Sequence, residues 1–228
     1  MTRLTSALLV ASVLGIALPA QEAFSPARYL DGPMPVLPVT AVGGGEVLLE
    51  LSVDVNGHVQ GVTPLRATPP FTDLVSAAVR GWRFLPAEVR APEPARADEP
   101  EGRMRVASTV LVAAVYRPPA LRVPTLGERP GDVATPSQET AFPLTTTVPL
   151  YPPHAFNSGV VLLEVRVYRD GTIADVAVVH SAPPFDAAAR AAVRQWSFRP
   201  ARRQGVSVPT LVYVLFGFPV PVVSSLLT

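Results

Sequence analysis

The stretch at 159–201, GVVLLEVRVYRDGTIADVAVVHSAPPFDAAARAAVRQWSFRPA, reads as strand, tight turn, strand and helix. It closes on a tripartite tag, Trp196, Phe198 and Pro200. Val161, Leu163, Val165 and Val167 alternate with Leu162, Glu164, Arg166 and Tyr168. A period of two with one more polar face predicts a half-buried strand. Asp170-Gly171 supplies the positive φ angles of a two-residue hairpin turn. A second β-rich run, Ile173–Val179, follows. Phe185, Ala188, Ala192, Val193 and Trp196 then fall on one helical face, so a helix of about three turns is laid on the sheet. Pro183-Pro184 suits the helix entry, and Pro200 stops the chain from continuing as helix.

The same stretch occurs earlier. Shifted by 114 residues, the segment 45–87 lies beneath it without a gap, and the match reaches back to Pro35, Pro38 and Ala41 under Pro149, Pro152 and Ala155. About 22 of 53 positions are identical. Asn56-Gly57 stands at the turn, and Phe71, Leu74, Val75, Ala78, Val79 and Trp82 form the helical face. Chance similarity does not run that long ungapped, so the chain carries two copies of one module. The expected fold is α+β: two tandem modules, each a small antiparallel three-stranded sheet (β-β-α-β) with one helix packed on it.

The modules are placed at 35–116 and 149–218. Pro64 in the second strand of the first module suits an edge or a bulge. A loop rich in Pro, Glu and Ala at 88–105 is expected to be solvated surface. Residues 117–148 form a Pro-rich, semi-rigid linker. An apolar tail, 219–228, either packs back on a module or pairs with an edge. The outward positions Leu48, Leu162 and Tyr168 are apolar for a solvent face. They are either ordinary scatter or a contact with the other module or a partner.

Residues 1–20 combine a cationic start at Arg3, an apolar run from Ala7 to Leu18 and small residues near Ala20. That pattern predicts a secretory signal peptide and a periplasmic protein. The alternative is a short inner-membrane anchor over 4–20, although the run is shorter than a membrane span prefers. No cysteine follows for lipid attachment. With no cysteine in the chain there is no disulfide framework or thiolate metal site. A net charge of +1 gives no basic patch for nucleic acid.

Catalytic chemistry is not expected. The histidines are His58, His154 and His180, and they form no metalloprotease motif or helical pair. His180 and Ser181 are strand neighbours pointing to opposite faces, which separates a base from a nucleophile. Asp170 is explained by its turn. Gly43–Gly45 lacks the lysine and helix of a phosphate loop. Trp82 and Trp196 read as core anchors rather than ligand-stacking residues. No metal or cofactor is expected.

Several of these features together resemble the C-terminal domain of TonB-type energy transducers. They are Tyr151-Pro152, the Gly159–Val167 strand, Asp170-Gly171, the Ala-rich helix, the Trp196-x-Phe198-x-Pro200 tag, Gly205 and a final strand near Thr210–Phe216. The resemblance covers about 149–218 and, less closely, 35–116. It departs from the family at Ser181-Ala182, where Ser-Gly is usual, and at Leu37, which stands where the second copy has Tyr151. It implies a non-enzymatic protein whose last strand receives a short segment of an outer-membrane receptor by strand addition. The partner-binding residues carried over are Tyr151, Pro152, Thr210, Leu211, Val212, Tyr213, Val214, Leu215 and Phe216. The family's membrane segment carries a histidine that couples to an inner-membrane motor, and residues 1–20 contain none. The function expected is a periplasmic TonB-like protein that binds an envelope protein and serves energy-dependent transport. The alternative is a structural or assembly module whose two domains pair with each other or form homodimers, with no receptor.

Overall fold

The computed structural model describes residues 24–37, 43–91, 102–117 and 140–220. The first half of the chain runs β1 (Arg28–Asp31), β2 (Gly45–Val53), β3 (Val59–Arg66), α1 (Phe71–Val79), β4 (Arg83–Leu85), β5 (Ala87–Arg90), β6 (Arg103–Val106) and β7 (Ser108–Tyr116). The second half repeats that order. It runs β8 (Phe142–Thr145), β9 (Gly159–Val167), β10 (Ile173–His180), α2 (Asp186–Val193), β11 (Ser197–Arg199), β12 (Ala201–Arg203), β13 (Val206–Val208) and β14 (Thr210–Phe218). The expected signal segment lies outside the described residues. So do 221–228 of the tail, 118–139 of the linker and 92–101 of the long loop.

The hairpin turns show why the glycines are needed. Tyr168 N–H bonds to Thr172 O at 2.8 Å, and Asp54 N–H to His58 O at 2.9 Å. Each turn therefore encloses three residues rather than the two expected, with glycine last at positive φ: +84° at Gly57 and +88° at Gly171. That is the three-residue loop with a left-handed final residue. The chain after each helix packs against these turns. Phe84 N–H donates to Gly57 O at 2.9 Å, and Phe198 N–H to Gly171 O at 3.2 Å. A Cβ at either glycine would lie within 2 Å of the Phe84 or Phe198 carbonyl oxygen. Asp54 and Asp170 complete the turns by accepting backbone N–H groups two residues on.

The tryptophan tags are core anchors. Trp82 and Trp196 are buried. Each indole N–H finds a carbonyl 49 residues earlier, Pro33 O at 2.9 Å and Thr147 O at 3.1 Å. Just upstream, β1 pairs with β4 and β8 with β11, which ties the segment before each copy to its tag strand. Residues 142–145 of the expected linker are thus a paired strand. Similarly, 88–90 and 103–105 of the expected loop belong to the β5–β6 hairpin.

Two separate three-stranded sheets do not form. The strands join in one six-stranded sheet of order β10-β9-β14-β7-β2-β3. All its pairs are antiparallel except the central one, β14 with β7, which is parallel. Alternation along these strands feeds two cores, one on each face. Phe71, Val75 and Val79 of α1 pack with Val47, Leu49, Val112 and Ala114, and with Leu162, Leu211, Tyr213 and Leu215 from the second half. On the other face, Phe185, Ala189 and Val193 of α2 pack with Val161, Leu163, Val212 and Val214, and with Leu48, Leu111, Ala113 and Val115 from the first half. The two helices therefore cover opposite faces, and each half completes the other's core. Leu48 and Leu162 are fully buried in this exchange, whereas Tyr168 is exposed.

Candidate functional site

The central seam contains most of the residues singled out in the sequence. Thr210, Leu211, Val212, Tyr213, Val214, Leu215 and Phe216 all lie on β14 and are all buried. On one side β14 pairs with β9 over its whole length, Thr210 opposite Val167 and Phe218 opposite Gly159. On the other side, Val212–Gly217 pair with Leu111–Tyr116 of β7. Both edges of β14 are occupied. The edge that the family resemblance assigns to a receptor segment is taken, in this chain, by its own first half.

The sheet's outer edges are β10 and β3. Both are interrupted. β10 breaks register against β9 between Ile173 and Asp175 and between Val178 and His180. β3 breaks register at the corresponding ends and carries Pro64, which has no N–H to give. Bulges and proline blunt an edge against strand addition.

Tyr151 and Pro152 sit beyond the far end of β14. The Tyr151 ring meets Phe185 edge-on at 5.4 Å and Phe218 at 6.2 Å. Its hydroxyl donates to Asn157 O at 2.6 Å. Arg117, fully covered, lies with its guanidinium 5.2 Å from the Tyr151 ring centre. Burial raises the Tyr151 phenol pKa, with Arg117 opposing. Pro152 lines an open apolar groove of about 620 Å³ with Leu150, Pro153, Pro184, Ala187 and Ala188. The groove exists partly because Ala188 stands where the first half has Leu74.

A polar cluster crosses the seam, and the sequence reading did not single out its members from the first half. Tyr29 N–H donates to the Tyr213 hydroxyl at 2.6 Å. That hydroxyl donates to Glu164 Oε2 at 3.1 Å. Arg28 Nε completes the set at 3.3 Å from the same oxygen. Tyr29, Trp82 and Phe84 surround the Tyr213 ring at 5.9, 6.4 and 5.8 Å. Burial drives the Tyr213 phenol well above its ordinary range, and the bond from Tyr29 only partly offsets it. Alternation marks Glu164 as a polar residue on an outward face, but its partners lie outside both modules as drawn from the sequence.

The histidines are scattered. His58 lies 3.7 Å from Asp54 beside a turn. Ser181 donates to Asp186 at 2.5 Å rather than to His180. Among the described residues, no three His, Cys, Asp or Glu side chains gather as a metal site. Among them, too, no helix is long and apolar enough to cross a membrane.

Residues 148–219 match the family model of the Gram-negative bacterial TonB protein C-terminal domain. The match covers the second half from Val148 onward and does not include the first. It supports membership of that family for one copy rather than two. The family is one of non-enzymatic protein-interaction domains of the cell envelope. No curated protein matches the sequence.

Proposed function

We propose that this is a non-enzymatic interaction protein of the bacterial envelope, built from two TonB C-terminal-like halves that take each other as partners. The observation that carries the reading is the parallel pairing of β14 with β7. Backbone bonds that would hold a receptor segment on β14 hold the first half instead. The halves then act as one rigid unit, and other envelope proteins bind on its outer surface. On this reading the protein is secreted to the periplasm and works as a structural or assembly module.

A second reading keeps a receptor segment on Thr210–Phe216, with Tyr151 and Pro152 nearby. The apolar groove beside Pro152 favours some external partner. Strand addition at β14 would then require β7 to leave, which opens both cores.

A disulfide lock separates the two readings. Ala113 and Val214 are directly paired across the seam, and the chain has no other cysteine. Neighbouring strands bring Cα atoms within the range that a disulfide spans. Ala113→Cys/Val214→Cys, oxidised, should capture the same proteins from envelope extracts as the parent. If the locked protein loses a partner that the reduced form binds, strand addition at β14 is the better account.

A further inference from the structure

The two halves match element for element, yet the polar contacts between them are one-sided. Glu164 and Tyr213 of the second half are buried. They are satisfied by Arg28 and by the Tyr29 N–H of the first half. The corresponding residues, 114 positions on, are Phe142 and Pro143. Phenylalanine has no charge, and proline has no N–H. On the other side of the seam, Leu111 takes the place in β7 that Tyr213 takes in β14, counting from the start of each strand.

Consider the pairings that this excludes. Two second halves joined through β14 would bury Tyr213 against Pro143, which cannot donate. They would bury Glu164 beside Phe142, which cannot neutralise it. A buried carboxylate without a cation is strongly unfavourable, and a buried hydroxyl without a partner adds to that. Two first halves joined through β7 would place Leu111 where the Tyr213 ring fills the space between Tyr29, Trp82 and Phe84. That pairing leaves a void and deprives the Tyr29 N–H of its acceptor.

We propose that Arg28, Tyr29, Glu164 and Tyr213 form a one-sided key that specifies pairing of unlike halves. The apolar seam is similar in both halves and would accept like with like. The key rejects that outcome, so the chain closes on itself instead of linking to other copies. Single polar groups in otherwise apolar interfaces set partner choice in this way elsewhere.

The test uses the full chain with a protease site inserted between 118 and 139. The folded protein is cut, unfolded in urea and refolded by dilution. Native mass spectrometry then counts pairs, because the two fragments differ in mass. The parent should return as the unlike pair. Arg28→Phe/Tyr213→Leu, which gives each side the other's residues, should raise the share of like pairs about tenfold or more, as expected when a buried polar group loses its partner. Tyr213→Phe, which keeps the ring, should give a smaller rise and decides the matter if the double variant does not fold. A statistical mixture from the parent would overturn the proposal. So would folded variants that return the unlike pair as faithfully as the parent.

Discussion

The backbone N–H of Tyr29 donates to the Tyr213 hydroxyl at 2.6 Å, across 184 residues of sequence. The bond ties the first described strand to the last, and it lies at the seam where two half-sheets become one. Because each core draws side chains from both halves, loss of either half should be felt by the other. The predictions below rest on that coupling.

Tyr213→Phe removes one hydroxyl and leaves the buried Tyr29 N–H and Glu164 with one partner fewer. The expected loss is about 1–3 kcal/mol. Denaturant titration should show one cooperative transition moved to lower denaturant, with both helices lost together. Two resolved transitions would contradict the shared core.

Trp196→Ala truncates a buried aromatic and should cost about 3–5 kcal/mol. The chain has two tryptophans, so the remaining fluorescence comes from Trp82 in the first half. That signal should melt early as well. If Trp82 reports an unchanged midpoint, the halves fold independently.

Gly171→Ala meets two obstacles, a φ of +88° and a carbonyl oxygen 1.9 Å from the new Cβ. The cost should exceed about 1 kcal/mol, as alanine at a positive-φ site does. Gly57→Ala should behave alike, and thermal melts of both variants check the pair. Gly205 has positive φ but no neighbour within 4 Å, so its alanine variant should lose less.

Cutting the chain between 118 and 139 should not release free halves. The fragments should co-elute on size exclusion at micromolar concentration, because the seam buries Leu162, Leu211 and Leu215 in one core and Leu48, Leu111 and Val115 in the other. Separate elution of folded fragments would show that the linker alone holds them.

Local structure was largely legible in the residues. Period-two alternation placed β9 at Gly159–Val167, and the 114-residue repeat carried the same element to the first half. The tryptophan tags were placed as core anchors by spacing alone. The sheet's assembly was less legible. Leu48 and Leu162 fell on a face that alternation assigns to solvent, because a strand pattern reports burial but not what does the burying. The parallel seam joins strands about a hundred residues apart, and no local signal marks that contact. Arg28 and Tyr29 escaped notice because they precede the region where the two copies match in sequence. Their counterparts Phe142 and Pro143 share backbone position but not chemistry.

Amide hydrogen exchange on the unmodified chain tests the central claim most directly. Along a strand, successive N–H groups point to opposite neighbours. With β9 on one side and β7 on the other, every amide from Val212 to Gly217 should exchange slowly, at a rate set by global unfolding. Fast exchange at alternate positions of this run, with the intervening amides protected, would mean that β14 has a free edge and that the two halves do not share a sheet.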